Sequence, residues 1–149
     1  MLTLILTWLL VGTGDITYAI CYSYWRSGTS PQRLLQSVAA GAVGRDAAFA
    51  GGTSTALMGL GFHYFIALTI TVIFFLASKQ MRSLVRHPVL TGSLYGIGVY
   101  LVMNFIVIPL SKIGPRPLPA TLTIVTGVVV HMFVIGTPIA IGARRSFRR

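Results

Sequence analysis

The chain has 149 residues, 54% of them hydrophobic and only 9% charged, and twelve Lys and Arg against two acids give a formal net charge of +10. About a quarter of the residues of a soluble domain are charged, so this composition excludes an ordinary soluble globule. The basic excess gathers at the ends of apolar runs, where phospholipid headgroups and membrane topology account for it better than nucleic acid does; no nucleic-acid partner is expected.

The first apolar run covers residues 2–24. It lacks a basic start, is too long for a cleaved signal peptide and contains Asp15, so it is expected to be a retained helix. Cys21 is the only cysteine, which rules out an intramolecular disulfide and a cysteine-pair metal site. Its preceding Tyr18-Ala19-Ile20 does not resemble a lipoprotein cleavage box.

The connection that follows, 26–52, is the longest. Ser30 and Pro31 form a helix start, with serine as N-cap and proline at the first helical position. Leu34, Leu35, Val38, Ala39, Ala42 and Val43 then mark one apolar face, with Gln32, Arg33, Gln36 and Ser37 opposite. The pattern predicts an interfacial amphipathic helix over 31–43.

Three further apolar runs cover 53–77, 89–110 and 120–141. Like the first, each has about 20 residues or more, enough to cross a hydrocarbon core of roughly 30 Å at ~1.5 Å per residue. The connection 78–88 is short and basic, and 111–119 carries Pro115, Pro117 and Pro119, which enforce a stiff non-helical turn. With four spans, Lys79, Arg82 and Arg86 lie on the same side as the tail arginines Arg144, Arg145, Arg148 and Arg149. The other side has Arg26, Arg33, Arg45, Lys112 and Arg116, offset by Asp46. The excess predicts both termini on the cytoplasmic side of a bacterial inner membrane, with these cations meeting anionic headgroups. The expected fold is one all-α, polytopic membrane domain over 1–149, with four transmembrane helices and one interfacial helix.

Each span carries polar residues near its middle: Asp15, His63, Tyr100 with Asn104, and His131. Each lies about 10 residues from the same side, or ~15 Å deep. Small residues share their faces: Gly12 with Asp15; Gly52, Ala56 and Gly59 with His63; Gly92 and Gly96 with Tyr100; Gly127 with His131. Small residues let helices approach and polar ones hydrogen-bond between them, so these faces are expected to turn inward. The plainest use of the cluster is to fix helix register. A second is a proton or cation path, since an intramembrane acid with two histidines is the residue set of proton relays. A third is a b-type haem held by His63 and His131, with Gly59 and Gly127 leaving room for the macrocycle. No paired carboxylates, activated nucleophile or phosphate loop supports an enzyme, and no cofactor or metal is expected otherwise.

Gly12 to Asp15, Ser30-Pro31 through Ser37, Gly51-Gly52 leading to Gly59 and His63-Tyr64-Phe65, Leu94-Tyr95-Gly96 through Asn104 and Pro109, and His131 before Pro138 are spread over nearly the whole chain. In these the chain resembles a group of small uncharacterised four-helix integral membrane proteins of bacteria. The resemblance implies the fold and the compartment and brings no established activity. The expected role is a non-catalytic structural or accessory subunit, with other membrane subunits or further copies of the chain as partners.

Overall fold

The computed structural model describes residues 1–147, so Arg148 and Arg149 fall outside the described residues. The described chain is all helical. Four helices are long and apolar enough to cross a membrane: α1 (Leu2–Ser27), α4 (Gly52–Gln80), α5 (Pro88–Leu110) and α6 (Thr121–Phe147), of 26, 29, 23 and 27 residues. Two shorter helices, α2 (Pro31–Val43) and α3 (Arg45–Ala50), lie between α1 and α4. A 3₁₀ turn at Arg82–Val85 joins α4 to α5. One end of the molecule therefore holds both chain ends and the basic 3₁₀ turn. The opposite end holds α2, α3 and the proline-rich segment 111–119.

Local chemistry sets the boundaries. Gly28 closes α1 in the left-handed region (φ 66°), its N–H reaching the Tyr24 carbonyl at 2.8 Å. The Ser30 hydroxyl accepts from the Arg33 N–H at 3.3 Å, and Pro31 opens α2 as anticipated. Gly44, at φ 90°, makes the sharp break to α3 that a side chain would resist.

α2 lies across α4, α1 packs along α4 and α6, and α5 packs along α6. The main core sits toward the end that carries the termini: Val11 of α1, Phe74 and Phe75 of α4, and Ile135, Ile139, Ala140 and Ala143 of α6. A smaller cluster at the other end joins Ala39 and Ala40 of α2 to Ala48 of α3, with Val43 and Ile113 against it. The Lys112 N–H donates to the Gly41 carbonyl at 3.0 Å, which ties the proline-rich segment onto α2. Between these two cores, α4 and α5 diverge.

Two departures from α geometry shape the bundle. Met103–Val107 in α5 and His131–Gly136 in α6 are wide π turns. A helical proline stands two residues after each, Pro109 and Pro138. Proline lacks the N–H for the i−4 carbonyl and its ring collides with that carbonyl, so the preceding turn opens.

Candidate functional site

The polar residues singled out by the sequence fall into two seams. In the α1–α4 seam, His63 Nε2 lies 2.8 Å from the Gly12 carbonyl, and its Nδ1 lies 4.0 Å from Asp15 Oδ2. The carbonyl only accepts, so Nε2 carries a hydrogen. Nδ1 is then left facing the carboxylate, too far for a direct hydrogen bond. Residues that periodicity did not mark complete the seam. The Trp8 indole donates to the Tyr64 carbonyl at 2.8 Å, and the Tyr64 and Thr13 hydroxyls pair at 2.8 Å. The Tyr64 ring lies over Gly12, where a Cβ would come within 2.8 Å of it.

In the α5–α6 seam, Tyr100 meets His131 edge to face, with ring centroids 5.2 Å apart. His131 Nδ1 donates to the Gly127 carbonyl at 2.8 Å, and the Asn104 amide donates to the Tyr100 carbonyl at 2.9 Å. Asn104 and His131 both lie in the π turns, where backbone pairing shifts by a residue and side chains can serve the carbonyls. Gly92 and Gly96 pack onto the α6 backbone. A Cβ at Gly92 would lie 2.6 Å from the Gly136 carbonyl oxygen, and one at Gly96 would strike the His131 carbonyl. Gly136 was not marked by the sequence. It stands five residues after His131, off a four-residue repeat, and the wide turn carries it round. Among the described residues no hydrogen bond or ion pair joins Asp15 or His63 to Tyr100, Asn104 or His131.

The small face of α4 is used differently from its neighbours. Gly59 admits the α2 backbone, the Leu35 carbonyl occupying the place of a Cβ. Ala56 is buried on the same face, whereas Gly52 is a hinge residue (φ 58°) with open space around it. Gln36, which the helical pattern puts on the polar side of α2, is buried. Its amide donates to the Gly52 carbonyl at 3.0 Å, while the Thr55 hydroxyl donates to the Ala48 carbonyl at 2.6 Å.

These contacts bear on haem. The space expected beside Gly59 is filled by α2, and that beside Gly127 by the Tyr100 ring, 2.7 Å from where a Cβ would sit. Both ring nitrogens of His63 face groups of α1. The residues present do not fit a haem between His63 and His131.

Comparison with protein-family models, curated proteins and solved structures finds no match.

At the end carrying the termini, Arg82, Arg86 and Arg144 surround a shallow depression of about 450 Å³, with Lys79 and Arg145 exposed nearby on the helix ends. On the flank of the molecule a cleft of about 600 Å³ opens between α4 and α5. It adjoins a pocket of about 320 Å³ toward α2 that Arg116 helps to line. Surrounding chain, and then the neighbouring Arg45, lower the Arg116 pKa from its ordinary value; a guanidinium remains charged all the same.

Proposed function

We propose that the four long helices cross a bacterial inner membrane with both termini on the cytoplasmic side, that α2 lies at the opposite interface, and that the protein is a non-catalytic accessory component of a membrane assembly. The observation that carries this reading is where the polar groups go. Asp15, His63, Tyr100, Asn104 and His131 are turned into helix seams and meet partners there. Large apolar side chains such as Leu101, Phe105, Val125 and Phe133 are left on the outer surface. Such a surface suits lipid and neighbouring helices, and intramembrane hydrogen bonds of this kind ordinarily serve packing. Extraction from native membranes in a mild detergent, followed by native mass measurement and identification of companions, tests it. A defined assembly with other subunits is expected; a lone monomer or homo-oligomer overturns the accessory role.

One observation favours a second reading, a proton-linked carrier. The Gly12 carbonyl holds His63 Nε2 and turns Nδ1 toward the Asp15 carboxylate inside a helix seam, and an acid beside an imidazole is the residue set of a proton relay. Under this reading, vesicles containing the purified protein take up protons and Asp15→Asn abolishes the uptake; equal uptake by the variant removes it.

A further inference from the structure

The cleft between α4 and α5 is walled by hydrocarbon. Two hydroxyls lie on its walls, and both are spent within the protein. Tyr95 donates to the Ile70 carbonyl at 2.7 Å, tying the two helices at the base of the cleft, and Thr69 donates to the Phe65 carbonyl at 2.9 Å. A polar solute would find no partner there. On α5 the cleft runs from Leu94 to Val107, about 20 Å at the helical rise, somewhat more than the roughly 15 Å depth of one leaflet's hydrocarbon. Its 600 Å³ is drawn out along that length, a long groove rather than a seat for a compact solute. A single hydrocarbon chain matches it.

The mouth has a different character. Toward α2, the Ser37 and Ser111 hydroxyls donate to Leu34 and Ile108 carbonyls. Arg116 is left as the polar side chain with donors to spare. Neither acid of the chain, Asp15 or Asp46, is within ion-pair distance of it among the described residues. A cation with no counter-ion therefore stands at the end of a groove that takes hydrocarbon.

We propose that the α4–α5 cleft is a binding site for an anionic phospholipid, with one acyl chain between the two helices and the phosphate at Arg116. Gly98 lies on the cleft wall, and a Cβ there meets nothing within 4 Å, so a larger side chain at this position fills the cleft without entering a helix seam. The proposal needs the membrane placement but not the accessory role. Recovery of the full chain in the membrane fraction checks that placement separately.

The test uses the detergent-purified, delipidated full chain and two probes, phosphatidylglycerol and phosphatidylcholine, each with a photoreactive acyl chain. The phosphatidylglycerol label is expected on α4 and α5 peptides that line the cleft. Gly98→Phe is expected to lower that labelling about tenfold, the effect of losing ~1.4 kcal/mol of binding. Arg116→Gln is expected to reduce the preference for phosphatidylglycerol over phosphatidylcholine about fivefold, the effect of one cation at a lipid surface. Should Gly98→Phe fail to fold, Gly98→Leu and competition of the wild-type label by unlabelled phosphatidylglycerol replace it. Label elsewhere on the chain, or labelling unchanged by the residue 98 variants or by competition, overturns the site. A headgroup preference unchanged in Arg116→Gln overturns the role of Arg116, and a second protein chain cross-linked through the cleft overturns lipid as its occupant.

Discussion

At the scale of single residues, the glycines of α5 separate two jobs that look alike in sequence. Gly96 lies against the His131 backbone, whereas Gly98, two residues along the same helix, lies beside open space. A backbone carbonyl cannot swing aside as a side-chain tip does. Gly96→Ala is therefore expected to destabilise the protein by about 1–3 kcal/mol, as overpacking does. Gly98→Ala is expected to be neutral or stabilising by up to ~1 kcal/mol, since alanine is the better helix former. Thermal unfolding of the two variants in one detergent checks the pair, and equal losses would contradict the α5–α6 crossing. Asp15 gives a second residue-scale test. Asp15→Leu removes the carboxylate that faces His63 Nδ1 while Nε2 keeps the Gly12 carbonyl. A loss of ~0.6 kcal/mol, up to about 1.7, is expected for one intramembrane polar contact. Unchanged unfolding would mean the seam does not depend on that pair.

At the scale of elements, the π turns decide which side chains share a face. In α6 an ordinary helix would place residue 135 below Gly127 and His131; the wide turn brings Gly136 into contact with Gly92 instead. A π turn amounts to one extra residue in an α-helix. Deleting Phe133, which is exposed within that turn, leaves His131 and Gly136 at a four-residue spacing. Its unfolding temperature is expected to stay within about 4 °C of wild type, near 1 kcal/mol for a chain of this size. Deleting Ile141 from the regular part of α6 rotates Gly142 and Ala143 by about 100° about the axis. Gly142 packs on Thr7 and Ala143 is fully buried, so this deletion is expected to abolish a monodisperse elution peak. Comparable behaviour of both deletions would refute the register role of the turn.

At the scale of the whole molecule, the bundle is tight toward the end with the termini, where Phe74, Phe75, Ile135 and Ile139 interlock, and splayed toward the other, where α2 closes over α4. The asymmetry gives the protein one flank that opens to its surroundings. The charge distribution adds an orientation. Lys79, Arg82, Arg86, Arg144 and Arg145 lie at the tight end, against Arg26, Arg33, Arg45, Lys112 and Arg116 offset by Asp46 at the other, and the proposed topology keeps the more cationic end in the cytoplasm. In a Cys21→Ser background, Pro117→Cys is expected to react with an impermeant maleimide on spheroplasts, and Ser83→Cys only after the membrane is permeabilised. The reverse pattern would invert the topology.

The helices themselves were legible in the residues. Hydrophobic run length decides whether a helix can span, and Ser30, Pro31 and the loop prolines act through local backbone sterics, so neither needs a neighbour to be read. The polar positions were legible too, because a carboxylate or imidazole in an apolar run stands out whatever surrounds it. Partnership was not. That Asp15 goes with His63, that Tyr100 goes with His131, and that Gly59 receives α2 depend on how helices distant in sequence rotate against one another. Gln36 and Gly136 were misplaced or passed over for the same reason: a fixed helical period says nothing about a polar side chain that finds a buried carbonyl or about an extra residue in a turn. The cleft between α4 and α5 belongs wholly to tertiary structure, because it is set by where two helices stop touching, and no single residue encodes that separation.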